Sequence, residues 1–511
     1  MGGLTGDPRA AATLRAAYGD ALLALWPLAG LAAALSALSP GRHGPEAANA
    51  LLPLLFIAVL AALARRTLRA MPEAIWSAAF WLPVQAAVFT GFGPLVEVFG
   101  NEATRAALAA HPLALSPEAL LGANALAMLG ATLLLTGVWA HMAAAPRAWA
   151  AAWPTAGAGA DPLRIGLAFV ALGGALKYLL INPAQWGLVD LLAPGVVTNL
   201  GALADLGFAL LAYAAAAGRR GARAAFWALW PAHLALAALS FAKLDIVLAL
   251  LFPAIGAFLA HRSALRLVLA LALAGAVYAA AQPFVHHGRA AVAESTGTAN
   301  GAGYGARLAI AQAYLDAPTW GPAADAPTPQ GWWTRLSFAG PQAFAMEARA
   351  RGLAYRPLAD AWMHFVPRAL WPEKPVLPGP GLEVHRLVTG EAKAESFLAL
   401  SIYGDLFWQF GWAGIWLGCP AIGWLFAMMA ARSVAAVRAR AFLTLPAVLL
   451  ALEMAILGPN RFVVTGILGP LPIYAAYLLA TGALLRLGAR RPGCAPRFRS
   501  ARARGGPFQV S

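Results

Sequence analysis

The sequence predicts an all-α polytopic integral membrane protein with about twelve transmembrane helices, and composition, run length and charge placement carry that prediction. The 511 residues are 60% hydrophobic and 12% charged, with a mean hydropathy of +0.66. A water-soluble globule carries about 25% charged residues, so most of this chain faces something other than water. The apolar residues fall in continuous runs long enough to cross roughly 30 Å of hydrocarbon. Such runs are too long and too unbroken for the tilted, alternating strands of a trans-bilayer barrel. The basic residues, finally, collect in every second loop, as a topology signal does.

In chain order the runs lie near 21–39, 48–64, 74–92, 119–143, 163–182, 196–218, 224–242, 244–260, 266–285, 407–431, 441–458 and 464–486. The first follows Arg9 and Arg15 and ends in small residues, as a cleaved signal would, but its length and the charge alternation favour a retained span. Placing the N-terminus in the cytoplasm puts Arg65, Arg66 and Arg69, then Arg147 and Arg164, then Arg219, Arg220 and Arg223 inside. Arg262, Arg266, Arg432, Arg438 and Arg440 follow the same rule, and the short outer loops keep only Arg42, Arg105, Lys243 and Arg461. Both termini are thus expected in the cytoplasm. The chain divides into nine spans over 1–285, a large outer loop over 286–404, three spans over 405–487 and a basic tail over 488–511.

The net charge of +15 does not point to nucleic acid, because the cations sit in short clusters between apolar runs, where they contact lipid headgroups. Cys419 lies in a span and Cys494 in the tail, so no disulfide is expected. A phosphate loop ending in Lys-Ser/Thr, His-Glu-x-x-His, Cys-x-x-Cys and a paired Asp-x-Asp are all absent, so neither a cofactor nor a metal is expected.

The outer loop is too long for a connector and is near neutral, so any anion site in it must be local. Apolar spacing predicts helices over 306–316 and 336–352 and a short amphipathic piece over 357–366. Then comes Phe365 to Pro375, Phe-Val-Pro-Arg-Ala-Leu-Trp-Pro-Glu-Lys-Pro, whose three prolines forbid a continuous helix. The stiff backbone presents Arg368 and Lys374, with Trp371 between them. A plain lead-in to the next span, with Trp371 as a belt anchor, is the alternative reading. Within the spans, Lys177, Asp205, Asp405 and Glu453 all fall in the outward half, together with Asn124, Asn199, Gln282 and Gln409, which describes a chamber open to the outer side. Only His233 and Gln85 sit near mid-depth, where a lone His is usually a packing residue. Lys177 can equally snorkel to headgroups, and Asp405 can cap the helix it begins.

Thr334-Arg335-Leu336-Ser337, the proline stretch, and Ser396 to Gly414 with its Tyr-Gly-Asp-Leu-Phe-Trp-Gln-Phe-Gly-Trp-Ala-Gly follow one another over about eighty residues. This order resembles the bacterial O-antigen and oligosaccharide repeat-unit polymerases of the Wzy type, with Asp405 and Trp408 where that family more often has Glu and Tyr. The resemblance implies a GT-C-like architecture in the bacterial inner membrane. It also implies a metal-independent glycosyltransferase that moves a growing glycan from undecaprenyl pyrophosphate onto the next lipid-linked repeat unit at the periplasmic face. Its partners would be undecaprenyl-pyrophosphate-linked glycans and membrane lipids, with room for a chain-length regulator and no nucleic acid. A diphosphate leaving group needs cations, so Arg368 and Lys374 are first choices for it, with Arg335, Arg461 and Lys177 next and Trp371 beside them. Asp405 is the leading candidate for the base and His385 the alternative. An O-antigen ligase or other lipid-linked glycosyltransferase is the nearest rival, and a transporter or flippase the rival of another class.

Overall fold

The computed structural model describes residues 7–38, 45–150, 161–189, 200–297, 301–318, 331–353, 358–366, 371, 373–375, 380–390 and 398–489. Arg368 and the arginines of the terminal tail beyond residue 489 lie outside these, as does the first part of the run expected over 196–218. The described residues are predominantly helical, with no strand among them.

Among the described residues ten helices are long and apolar enough to cross a membrane. They are α1 (Pro8–Leu38), α2 (Pro45–Ala70), α3 (Ala78–Phe99), α4 (Pro117–Ala144) and α5 (Pro162–Gln185), then α8 (Lys243–His261) and α9 (Ala264–Thr296). After the loop come α14 (Gly414–Arg438), α15 (Phe442–Asn460) and α16 (Val464–Gly482). Between α5 and α8 stand α6 (Leu203–Ala216), apolar but short, and α7 (Ala222–Leu239), whose Arg223, Pro231 and His233 dilute its hydropathy. The chain is therefore a multi-pass, all-α membrane protein.

Two groups of helices share one core. α4 is the hub of the first, packed on α1, α2 and α14, with α3 and α15 completing it. Its own window is 89% buried, which explains why its apolar residues run all the way round. Glycines set the closest approaches: a Cβ at Gly137 would lie 2.1 Å from the Pro420 carbonyl, and one at Gly423 1.9 Å from that of Leu134. In the second group α6 packs on both α5 and α8, with α9 against α8 and α6 touching α15. Here Gly173 and Gly256 play the same part against the backbones of Ala204 and Ala209.

Helices expected over 306–316 and 336–352 stand at α10 (Tyr304–Asp316) and α11 (Ala339–Ala350). The piece expected over 357–366 is a single 3-10 turn, Ala361–Phe365. A helix that hydropathy does not announce, α12 (Pro380–Thr389), follows the proline stretch.

The tenth run departs from expectation. It is broken into α13 (Ser401–Phe410) and α14 at Gly411, whose φ of +65° and ψ of −148° suit only glycine. α13 lies parallel to α11, because Gln342 bonds Ser401 and Arg349 bonds the Trp408 carbonyl one step further along both helices. Tyr403 of α13 rests against Gly130 of α4, so this half-helix reaches into the bundle rather than lying outside it.

Candidate functional site

The first cluster is buried. In α5 the residues Leu176–Ile181 form wide π turns, a local unwinding common at special positions, and they turn Lys177 and Tyr178 inward. The Lys177 ammonium lies 3.3 Å from Asp205 of α6 and 3.2 Å from Asp245 of α8. His233 of α7 meets Asp205 through Nε2 at 3.0 Å and the Tyr178 hydroxyl through Nδ1 at 2.7 Å. The expectation that Lys177 grips substrate is not met by this geometry, because two carboxylates already neutralise it. It neither snorkels nor stands free. It clamps three helices, and His233 is the hydrogen-bonded packing residue expected of it.

Asp405 is fully buried. Its own helix is capped at Leu400, so it does not cap α13. Instead one carboxylate oxygen accepts the Val463 N–H at 2.7 Å, a first-turn donor of α16, and the other accepts from Gln409 Nε2 at 2.7 Å. Gln409 in turn accepts the Leu358 N–H at 3.0 Å. The carboxylate thus ties α13, the loop and the last hairpin together. Asp405→Asn is expected to reverse the polarity of one of these bonds and lower stability by about 1.5–3 kcal/mol, the worth of a hydrogen bond to a charged group. A detergent thermal-unfolding curve unchanged by the substitution would contradict this clamp.

The other predicted residues are scattered. Lys374 turns back to the Val366 carbonyl at 3.2 Å, and Trp371 stacks on Trp362 at 5.9 Å. Arg461 lines a cavity of about 230 Å³ with Glu453 and Thr465. His385 lies half-buried on α12, next to Val384, which joins Trp408 and Phe462 in a small apolar cluster. Among the described residues no hydrogen bond or ion pair links Arg335 to Lys374, Arg461, His385 or Asp405.

Arg335 has other company. The turn Thr334–Leu336 seats in α3, where the π turns of Ala87–Phe92 give way to a 3-10 turn at Gly93–Leu95. Trp333 donates to the Phe92 carbonyl at 2.9 Å and stacks on the Phe92 ring, and a Cβ at Gly93 would lie 2.1 Å from the Leu336 carbonyl. Opposite stands the turn between α7 and α8, fixed by fully buried Arg307 of α10. Arg307 donates to the carbonyls of Leu239 and Ser240, and its guanidinium lies 3.9 Å from the Trp186 ring centre. Burial pushes its pKa down to about 10, because desolvation disfavours the charged form. On that turn Phe241 packs against Gly288, and its carbonyl accepts from Arg289 Nε at 2.9 Å.

Lys243 begins α8 directly after this turn. Its ammonium donates to Gln282 Oε1 and lies 5.4 Å from the Tyr278 ring centre, and Gln282 continues to His286 at 3.1 Å. Lys243, Arg289 and Arg335 are close enough to repel one another, and all three act on His286. Surrounding protein holds the Arg335 guanidinium below its ordinary range, opposed by Tyr278, even though the residue is exposed. Other cations of this chain, Lys177, Arg66, Arg219, Arg262 and Arg351, have carboxylate partners. Among the described residues Lys243, Arg289 and Arg335 have none within ion-pairing distance.

On its other side Arg335 lines a cavity of about 280 Å³ with Glu97, His111, Thr334, Ser337 and Phe338. The His111 ring accepts the Leu113 N–H through Nδ1 at 3.2 Å, so its proton sits on Nε2, and burial holds its pKa below the ordinary histidine value. Among the described cations named from sequence, Arg335 is thus the one that joins an unneutralised group. Lys243 and Arg289 join it from α8 and α9, positions that read in sequence as a short-loop cation and one loop charge among ten. No family model, curated protein or solved structure matches this chain.

Proposed function

We propose that this protein is a metal-independent membrane glycosyltransferase that polymerises undecaprenyl-pyrophosphate-linked oligosaccharide units at the outer face of a bacterial inner membrane, with twelve crossings and both termini in the cytoplasm. The observation that carries the reading is the trio Lys243, Arg289 and Arg335, three accessible cations with no carboxylate among the described residues to balance them. Neighbouring charges of one sign call for an anion, and three donors at headgroup level suit the leaving diphosphate of a polyprenyl-linked glycan. Arg289 and Arg335 supply planar forks for its oxygens and Lys243 a point charge. As the bond from the anomeric carbon to the diphosphate breaks, the negative charge growing on the leaving oxygen is met by groups already in place, without reorganisation. The break at Gly411, which leaves α13 beside the loop helix α11, supports a chamber at that end rather than a path through the bilayer.

Product analysis tests the reading. Purified protein in lipid nanodiscs, given lipid-linked repeat units, is expected to yield longer chains still attached to the carrier lipid. Transfer of finished glycan to a lipid A-core acceptor would make it a ligase instead, and ion-dependent solute uptake in vesicles a transporter.

A further inference from the structure

The carboxylate that takes the acceptor proton must stand beside the diphosphate cations, and Asp405 is committed to a structural clamp. We infer that Glu97 is the general base and that the cavity it shares with Arg335 seats the acceptor sugar. Glu97 closes α3 just past the turns that hold Thr334–Leu336, so one distorted helix end positions both the base and the cation. The side chain is half-buried, and among the described residues it has neither a hydrogen-bond nor an ion-pair partner. Every other carboxylate so far described at this end of the bundle is neutralised or hydrogen-bonded, apart from Glu453 in its separate cavity.

The cavity has the chemistry a pyranose needs. Thr334 and Ser337 offer hydroxyls, Phe338 a flat apolar face, and His111 an Nε2–H donor whose tautomer is fixed by the Leu113 N–H. Because burial disfavours its charged form, His111 stays a neutral donor rather than adding a fourth cation.

In the step itself the acceptor hydroxyl oxygen forms its bond to the donor's anomeric carbon as the bond to the diphosphate oxygen breaks. The bonding electrons leave on the diphosphate, which Lys243, Arg289 and Arg335 hold. The hydroxyl proton passes to Glu97, and from there to solvent when the diphosphate lipid departs. No metal, oxidant or nucleotide enters the balance.

The inference rests on the glycosyltransferase reading above, and its test separates the two. Wild-type, Glu97→Gln and Glu97→Asp proteins in nanodiscs are given lipid-linked repeat units for single-turnover measurement, and donor binding is titrated separately. Glu97→Gln is expected to slow transfer by about 10²–10⁴-fold while donor affinity changes less than about threefold, as loss of a general base should. Glu97→Asp, which keeps the carboxylate, should recover part of that loss. Transfer by Glu97→Gln within about threefold of wild type would overturn the base while leaving the polymerase reading intact. Absence of chain extension by the wild-type protein would overturn both.

Discussion

Exchanging Lys243 and Arg335 together for glutamine is expected to abolish measurable chain extension without unfolding the protein. Each loses a charge-assisted contact to the diphosphate worth about 1.5–3 kcal/mol, so the pair should cost on the order of 10²–10⁴-fold in kcat/KM. Removing charge from a group with no carboxylate partner relieves repulsion, so the fold should be no less stable than wild type. The sign of that second effect separates a binding site from a packing cluster. Higher salt should also weaken the wild-type enzyme more than the variant, because these cations are accessible and screened. A double variant that still makes long chains at wild-type rate would remove the trio from the site.

Lys177→Met is expected to do the reverse and damage the fold. It leaves Asp205 and Asp245 facing each other without their cation, and breaking one side of a buried pair costs about 3–5 kcal/mol. Because the ammonium joins α5, α6 and α8, the loss should appear as reduced yield and a lower detergent melting temperature before any question of activity arises. Lys177→Met combined with Asp205→Asn should regain part of the stability, since the unpaired charge is then gone. A single variant as stable as wild type would mean that the three-helix clamp is ornamental.

The contrast between these two lysines shows how far the sequence could be read. Lys177 and Lys243 look alike there, each a basic residue near the end of an apolar run. What separates them is the presence of Asp205 and Asp245 around one and their absence around the other, a fact of packing between distant helices. Ten of the twelve expected spans were legible among the described residues because hydropathy over some twenty residues is a local sum. α10 and α11 were legible because their apolar spacing is helical. The break at Gly411 was hidden, since the apolar run continues on both sides and only the backbone angles reveal it. Asp405 was read as the leading candidate for the base, with a cap on its own helix as the alternative, and its carboxylate receives the first turn of a different helix. Arg335 was named for its charge type alone. The partners that give it meaning arrive from α8, α9 and the end of α3, and no spacing rule connects those positions.

The account stands on the claim that Lys243, Arg289 and Arg335 bind a lipid diphosphate. Titrating a short-chain polyprenyl diphosphate into the wild-type protein and the Lys243→Gln/Arg335→Gln variant, both in nanodiscs rich in phosphatidylglycerol, tests it most directly. Saturable binding to the wild type that persists against the excess anionic lipid, and is weakened by on the order of 10²-fold or more in the variant, is the expected result. Equal affinity in the two proteins, or wild-type binding erased by phosphatidylglycerol alone, would show that these cations serve only the membrane surface.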